Sequence, residues 1–165
     1  MKKNNQMMKT ATLVAFIALS LFAISQSAYA QSKSAISLKP DAATIVAAEG
    51  VKPMKAEGPQ GERNLGFWMD ARCYATWTVS FPKAGTYAVE MFAVSKDGSP
   101  ITLSVGQETV KADIAGAGNW KEYTIVDLGK IKVEKEGEVT VILKAGAGNW
   151  KPINIREITF TPKKK

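Results

Sequence analysis

The chain has 165 residues, of which 45% are hydrophobic, so it can form one domain with a substantial core. It contains no histidine, which removes the commonest general base, the Ser–His–Asp triad and the commonest zinc ligand. Six lysines in the first nine and the last three residues account for most of the net charge of +7. The nearly neutral body lacks the basic stripe of a nucleic-acid-binding protein.

The N-terminus has the pattern of a secretory signal peptide. Three lysines precede an apolar run at 11–24, and Ala28-Tyr29-Ala30 supplies an A-x-A cleavage site. The run is too short to cross a bilayer comfortably, and no cysteine directly follows it to carry a lipid anchor. We therefore expect residues 1–30 to be removed on export, leaving a periplasmic or secreted protein that is not inserted in the membrane.

The rest of the chain alternates between apolar and polar side chains in short segments. From Cys73 to Phe81 one face is apolar and the other is rich in hydroxyl groups, which is the period of a half-buried strand. Cys73 and Trp77 lie on the apolar face, so we expect core packing for both. Further strands are predicted at 36–38, 44–47, 87–93, 101–105, 110–114, 123–125, 139–143 and 153–161.

Short strands separated by Gly and Pro turns are typical of a β-sandwich. A polar loop is expected at 48–63, and a change of phase between Ile155 and Ile158 predicts a β-bulge. The predicted organisation is a signal peptide (1–30), one all-β antiparallel two-sheet sandwich (31–162) and a solvated basic tail (163–165).

The heptapeptide AGAGNWK occurs twice, at 115–121 and at 145–151. Its flanks differ, so the similarity is confined to two loops and is not an architectural repeat. If the strands run alternately up and down, both copies lie at the same end as the segment NLGFWMDAR at 64–72. The parity changes if residues 130–133 cross the fold as an extra strand. That extra strand would move the second copy to the other end. Without it, one end of the sandwich carries Trp68, Trp120 and Trp150.

Tryptophans on glycine-rich loops have two roles in such folds. An exposed indole can stack on the apolar face of a sugar ring, with a neighbouring amide to bond its hydroxyl groups. A tryptophan in the same kind of turn can also fold back and cap the core. Three tryptophans at one end favour a binding surface.

Two segments, 64–106 and 119–162, resemble the two halves of galactose-binding-like β-sandwiches. The pattern is most similar to family 6 and family 35 carbohydrate-binding modules and to the domains attached to bacterial fucosidases and sulfatases. The turn AGTY at 84–87 and the block NIREITFTP at 154–162 carry much of the similarity. The resemblance implies a jelly-roll fold with a sugar site among the loops at one end.

The family's site uses stacked aromatic residues and an asparagine at the start of the last strand. Trp120 matches the loop tryptophan and Asn154 the asparagine, while Trp68 is the best match for the first aromatic and Tyr74 the second. The tryptophans would stack, the asparagines would bond hydroxyl groups, and the charged side chains of Asp70, Arg72 and Lys121 would add selectivity. The predicted ligand-binding residues are Trp68, Asp70, Arg72, Asn119, Trp120, Asn149, Trp150 and Asn154.

The resemblance also raises the question of a structural calcium ion. The acidic pattern that accompanies this ion in the family is not evident in the first predicted strand, within AISLKPDAATI at 35–45. Glu49 and Glu157 remain as carboxylates for such a site, which needs several convergent oxygen atoms. We expect no metal and no other cofactor, with calcium as an unsupported alternative.

The sequence thus predicts a secreted, non-catalytic carbohydrate-binding module whose partner is a polysaccharide or oligosaccharide. The alternative is a protein–protein interaction or assembly module of the cell envelope, because a fold does not fix a function. A glycosidase would need two carboxylates facing each other across a site. The candidates at the same end, Asp70 and Asp97, lie in no distinctive motif.

Overall fold

The computed structural model describes residues 35–163; the predicted signal peptide and the last two lysines lie outside this range. Of the described residues, 36–163 form one compact unit. The strands are β1 (Ile36–Leu38), β2 (Thr44–Val46), β3 (Lys55–Glu57), β4 (Asn64–Gly66), β5 (Tyr74–Phe81), β6 (Gly85–Val94), β7 (Ser99–Val105), β8 (Glu108–Ile114), β9 (Thr124–Val133), β10 (Gly137–Ala145) and β11 (Asn154–Pro162). A 3-10 turn, Pro40–Ala42, is the one helical element of the described range, where no helix is long and apolar enough to span a membrane.

The strands form two antiparallel sheets. The six-stranded sheet has the order β3-β4-β11-β6-β9, with β1 also paired to β11, and the five-stranded sheet has the order β2-β5-β10-β7-β8. Inward side chains of both sheets form one hydrophobic core. The predicted fold class, an all-β antiparallel two-sheet sandwich, is confirmed.

The apolar face predicted for 73–81 lies in this core. Cys73 is fully buried, and its sulfur accepts a hydrogen bond from the backbone N–H of Met54 at 3.4 Å. Trp77 is also buried, and its indole N–H donates to the Lys39 carbonyl at 3.0 Å. Core packing is therefore confirmed for both residues.

Two irregularities set the phase of the long strands. The register of β11 on β6 shifts between Ile155 and Glu157, which confirms the predicted bulge and makes Arg156 the extra residue. The register of β9 on β6 shifts near Gly129, yet β9 continues without a break to Val133. Residues 130–133 thus do not form a separate strand.

Five connections cross between the sheets at one end, which we call the upper end. They are 47–54, 67–73, 95–98, 115–123 and 146–153. Pairings close to these connections join Asn154 to Val94 and Ala93 to Thr124 in one sheet, and Ile101 to Ala145 in the other. The connections therefore lie side by side in the order of the strands that they join.

Candidate functional site

The first AGAGNWK copy packs on the 95–98 connection. The backbone N–H groups of Ala117 and Gly118 donate to the carbonyls of Ser95 and Lys96, both at 2.9 Å. The second copy packs on the start of β7, which directly follows this connection, since the N–H of Gly146 donates to the Pro100 carbonyl at 2.9 Å. Both copies therefore lie at the upper end, as strand parity predicts.

A buried serine ties the second copy down further. The Ser99 hydroxyl donates to the Lys151 carbonyl at 2.7 Å and accepts from the Lys151 N–H at 3.0 Å. The Ser95 hydroxyl donates to the Pro152 carbonyl at 3.0 Å. The 95–100 segment is thus the shared support of both loops.

Backbone geometry accounts for the glycines that the two loops share. A Cβ on Gly116 would lie 3.0 Å from the backbone of Asp97, and one on Gly146 would lie 2.7 Å from the backbone of Pro100. The second glycine of each copy, Gly118 or Gly148, has a positive φ, 73° and 102° respectively. Close approach and left-handed geometry both favour glycine, so part of the repeat has a structural origin.

Trp68 and Trp150 pack against each other at the upper end of the core. Trp68 is only 1% exposed, and its indole N–H donates to the Asp70 carbonyl at 3.1 Å. The ring centroids of Trp68 and Trp150 are 5.4 Å apart, and Trp150 is half-buried against the core. Trp68 therefore offers no free face for stacking, in contrast to the role predicted for it.

Trp120 is the exposed tryptophan of the repeat, with 41% of its surface accessible. The preceding Asn119 shapes the loop, because its amide donates to the Ala117 carbonyl at 3.1 Å and its oxygen accepts from the N–H of Lys121 at 2.8 Å. Asn119 therefore holds the turn that presents the indole. Asn149, its counterpart in the second copy, is exposed.

Asn154 lies on the outer face of the six-stranded sheet, because the next residue, Ile155, is buried in the core. Asn154 pairs with Val94 of β6, and antiparallel pairing of Ile155 with Leu65 places Gly66 on its other side. The pairing of Ala93 with Thr124 extends this row to Tyr123. Three strand spacings of about 4.8 Å make the row about 14 Å wide.

The chain carries an exposed aromatic residue close in sequence to each end of this row: Phe67 directly follows Gly66, and Trp120 lies three residues before Tyr123. Phe67 is 45% exposed and has a φ of 54°, a left-handed conformation that is strained for an aromatic residue. The Lys55 ammonium group lies 4.3 Å from its ring centroid. We call the surface formed by Phe67, Gly66, Asn154, Tyr123 and Trp120 the upper trough.

The sequence did not predict Phe67 as a site residue. Alternation from the buried Leu65 would point Phe67 inward and Trp68 outward. The left-handed backbone at Phe67 reverses this order, so Trp68 is buried and Phe67 is exposed. Two adjacent aromatic residues were the available signal, but the sequence alone did not show which of them faces solvent.

Tyr74, the second candidate for the first aromatic, lies on the opposite side of the molecule. It is on the outer face of the five-stranded sheet, where the Lys144 ammonium group is 4.9 Å from its ring centroid. Tyr74 therefore does not belong to the upper trough.

Asp70 and Arg72 are bonded to each other. The Arg72 guanidinium donates to both carboxylate oxygens of Asp70, at 3.0 and 2.7 Å, and the Arg72 backbone N–H donates at 2.9 Å. These bonds lower the pKa of Asp70 to about 2. Asp70 is thus an ionised carboxylate at neutral pH, which does not suit a general acid.

A charged pocket lies below the upper trough on the same sheet face. Its volume is about 310 Å³. The Arg156 guanidinium lies 4.1 Å from the Tyr123 ring centroid and pairs with Glu62 at 3.4 Å. Two further ion pairs join Arg63 to Asp41 at 3.1 Å and Lys39 to Glu157 at 2.8 Å. The residues that line the pocket are Lys39, Pro40, Asp41, Gly61, Arg63, Phe92, Arg156 and Glu157.

The two carboxylates predicted as possible calcium ligands, Glu49 and Glu157, do not converge on one site. Glu157 is bonded through one carboxylate oxygen to Lys39 and through the other to the Ser37 hydroxyl. The ammonium group of Lys39 thus lies where a cation would have to bind. Glu49 is in an exposed turn, and residues 35–163 contain no group of three or more acidic, cysteine or histidine side chains placed to hold a metal.

The two-sheet β-sandwich architecture is shared with family 35 and family 6 carbohydrate-binding modules. No protein-family model and no curated protein matches the sequence. The native family 35 module from Clostridium thermocellum has a TM-score of 0.61 and 19% identity, over 79% of this chain and 99% of that chain. The C-terminal family 6 module of a marine laminarinase from Zobellia galactanivorans has a TM-score of 0.61 and 16% identity, over 77% and 98%.

The same fold occurs as a part of larger chains. A Podospora anserina GH26-CBM35 β-(1,4)-mannanase has a TM-score of 0.58 and 14% identity, over 80% of this chain but only 28% of that chain. The present chain thus spans little more than a quarter of the enzyme's length. At these identities the comparisons establish the fold.

Proposed function

We propose that this protein is a secreted, non-catalytic carbohydrate-binding module whose ligand lies in the upper trough. The observation that carries the proposal is the row that contains Asn154 and runs from Gly66, which the exposed Phe67 follows, to Tyr123, which the exposed Trp120 precedes by three residues. Aromatic side chains supply apolar faces for sugar rings, and an amide both donates to and accepts from hydroxyl groups. The shared fold with family 35 and family 6 modules supports the same proposal.

The remaining predicted residues have supporting roles in this proposal. Trp68 and Trp150 pack beneath the loops and hold them in place. Asn119 shapes the turn that presents Trp120, and the Asp70–Arg72 pair stabilises the connection that begins at Phe67. Asn149 is exposed at the same end and is free to bond a longer chain.

A purely binding role agrees with the chemistry of the upper end. There is no histidine in the sequence, and Asp70 is fully bonded to Arg72. Hydrolysis of a glycoside needs one carboxyl group that can give up a proton and a second across the site. We therefore expect no turnover of model glycosides.

The test is a binding screen of residues 31–165 against soluble polysaccharides and their oligosaccharides. On the glycan that binds best, Asn154→Ala is expected to weaken affinity by about tenfold, since one hydrogen bond to a desolvated partner is lost. The matched control is Thr109→Ala, because Thr109 is exposed on β8 of the other sheet. Failure to bind any glycan, or equal effects of the two variants, would refute the proposal.

A second candidate function is a protein-assembly module of the cell envelope. The observation in its favour is the exposure of Met69 and Ile125, at 67% and 70%, which sugar stacking does not require. Co-purification with an envelope protein that depends on Met69 and Ile125, without glycan binding, would support this alternative.

A further inference from the structure

The charged pocket on the outer face of the six-stranded sheet contains arginine, although the rest of the chain mostly uses lysine. Three of the 22 basic residues in the sequence are arginines, and two of them, Arg63 and Arg156, line this pocket. Arg63 directly precedes β4, and Arg156 is the extra residue of the bulge in β11. A guanidinium group matches the planar geometry of a carboxylate better than an ammonium group does. The position of these two arginines therefore favours a site for a carboxylate.

The two arginines are only partly bonded within the protein. Arg63 donates through Nε to one oxygen of Asp41 at 3.1 Å and through Nη1 to the Ala56 carbonyl at 3.5 Å. Arg156 pairs with one oxygen of Glu62 at 3.4 Å. The side chains of Asp41 and Glu62 are 62% and 67% exposed, so water screens both pairs and they contribute little to stability. The carboxylate of a ligand can therefore displace them at a small cost in free energy.

The remaining charges of the pocket neutralise each other. Lys39 pairs with Glu157 at 2.8 Å, and the Ser37 hydroxyl donates to the other oxygen of Glu157. When Asp41 and Glu62 turn into solvent, two guanidinium groups are left to face the pocket. One carboxylate can then bind there without meeting an unpaired negative charge.

An apolar strip continues from the pocket to the edge of the sheet. Glu157, Phe92 and Ile125 are paired residues of the neighbouring strands β11, β6 and β9, so their side chains form one row on the outer face. Phe92 lines the pocket, and its ring centroid lies 5.4 Å from that of Tyr123. Ile125, on the edge strand, is 70% exposed. A ligand at this face thus meets two guanidinium groups, an aromatic ring and an exposed aliphatic side chain in succession.

This combination suits an extended acidic peptide. In an extended chain the side chains of residues i and i+2 lie on the same face, about 7 Å apart. A carboxylate at one position and an apolar side chain at the other can contact the guanidinium groups and the Phe92–Ile125 strip together. A neutral sugar has no charge for the guanidinium groups, and Ile125 offers it no flat ring to stack on. At about 310 Å³ the pocket is at the small end of known ligand sites, which suits one side chain of a partner.

We propose that this pocket is a second binding site, distinct from the upper trough, that holds one carboxylate of an extended acidic segment of a partner protein. The carboxylate accepts hydrogen bonds from Arg63 and Arg156. An apolar side chain two residues away packs on Phe92 and Ile125. The partner is thus defined by an acidic and an apolar residue on one face of an extended segment.

The experiment is an array of synthetic peptides probed with residues 31–165. Each peptide has the form Ser-Ser-Z-Ser-X-Ser, in which Z is Asp or Glu and X is Val, Ile, Leu or Phe, and each has a matched copy with Asn or Gln at Z. The best acidic peptide should bind about tenfold more tightly than its amide copy, because bonds to a charged acceptor are stronger than bonds to a neutral one. Fluorescence anisotropy of that peptide measures the affinity, which should fall as the salt concentration rises.

Four variants locate the peptide on the protein. Arg63→Gln should weaken binding of the acidic peptide by about tenfold, and Arg63→Lys, which keeps the charge but not the planar fork, by less. Ile125→Thr should weaken it by about fivefold, because exposed aliphatic surface is lost. Lys111→Gln, an exposed lysine on β8 of the other sheet, is the matched control and should change nothing. Thermal unfolding monitors the fold of each variant.

The site and the upper trough can fail separately. Equal binding of the acidic and amide peptides, or equal losses in Arg63→Gln and Lys111→Gln, overturns the site. Binding of oligogalacturonate that is lost in Arg63→Gln, with no peptide bound, overturns the assignment to a protein partner. Glycan affinity at the upper trough should be the same in Arg63→Gln as in the wild-type protein, and a parallel loss of glycan and peptide binding would overturn the claim that the sites are distinct.

Discussion

Removal of the Trp120 indole is the most direct perturbation of the upper trough. The indole is 41% exposed, which corresponds to about 100 Å² of a side chain that can bury up to about 250 Å². A sugar stacked on one face would cover about half to all of this area. At about 25 cal/mol per Å² this contributes about 1.3–2.5 kcal/mol. Stacking adds about 0.5–1.5 kcal/mol.

Trp120→Ala is therefore expected to weaken glycan binding by about 10- to 100-fold or more, since each 1.4 kcal/mol corresponds to a factor of ten. Isothermal titration with the best glycan from the binding screen measures this loss. Stability should change little, because Trp120 does not belong to the core cluster. Tryptophan fluorescence provides a second measurement. The emission of the wild-type protein should shift when the glycan is added, and that of Trp120→Ala should shift less.

Tyr74→Ala is the matched control for this experiment. It removes an aromatic side chain of the opposite sheet face, where Tyr74 contacts Lys144. Its affinity should equal that of the wild-type protein. Normal glycan binding by a folded Trp120→Ala variant would refute the proposed role of the upper trough. An equal loss of affinity in Tyr74→Ala would refute it as well.

Three further predictions concern strain, the ion pair and loop packing. Phe67→Gly should weaken glycan binding, while the unfolding temperature stays equal or rises. The reason is that glycine relieves a left-handed φ that costs an aromatic residue about 1–3 kcal/mol. A large drop in unfolding temperature would contradict this. Lys39→Ala should lower the unfolding free energy by no more than about 1 kcal/mol, since the Lys39–Glu157 pair is partly exposed. Calcium titration should not restore the lost stability. Recovery of stability on adding calcium would show that Glu157 can help to bind this ion. Gly146→Ala should lower the unfolding free energy measured by chemical denaturation by about 1–3 kcal/mol, because its Cβ meets the Pro100 backbone at 2.7 Å. The Cβ of Gly148→Ala meets no neighbour, so this variant should lose only the strain energy of its positive φ. Equal losses would show that the close contact at Gly146 relaxes freely.

The ion pair also has a pH dependence with a definite sign. Partial burial raises the pKa of Glu157, but the bonds from Lys39 and Ser37 and the charge of Lys39 outweigh it, so the net shift is downward from 4.5. A carboxyl group with a lowered folded-state pKa stabilises the fold above its ordinary pKa and loses this contribution as the pH falls. The stability difference between the wild-type protein and Lys39→Ala should therefore shrink below about pH 4.5.

The long strands could be predicted because their periodicity is local. The alternation at 73–81 became β5, and the change of phase after Ile155 became a bulge at Arg156. Strand parity then placed both AGAGNWK copies at one end without knowledge of the sheet order. These features depend on side chains that are neighbours in sequence.

The short strands β3 and β4 could not be predicted in the same way. Each has three residues, and they pair with each other and with β11, far along the chain. Their formation depends on nonlocal partners, which a pattern of three residues does not encode. The position of Glu57 opposite Asn64 depends on this pairing and was therefore not visible in the sequence.

The orientation of Phe67 has a different cause. A single left-handed residue exchanges the faces of two adjacent aromatic side chains. Non-glycine residues rarely adopt this conformation, so no propensity identifies it. For this reason Trp68 was predicted as the exposed aromatic, although it packs on Trp150.

The position of the two ends of the described chain determines how the protein can be attached to a support. β1 begins opposite Phe160, and Lys163 donates its N–H to the Thr86 carbonyl. Both ends of the described chain therefore lie at the end of the sandwich opposite the upper end. A biotin or an affinity tag at either end leaves the upper trough facing solution. Sensor-chip measurements with the protein anchored at its N-terminus and at its C-terminus should therefore report the same glycan affinity.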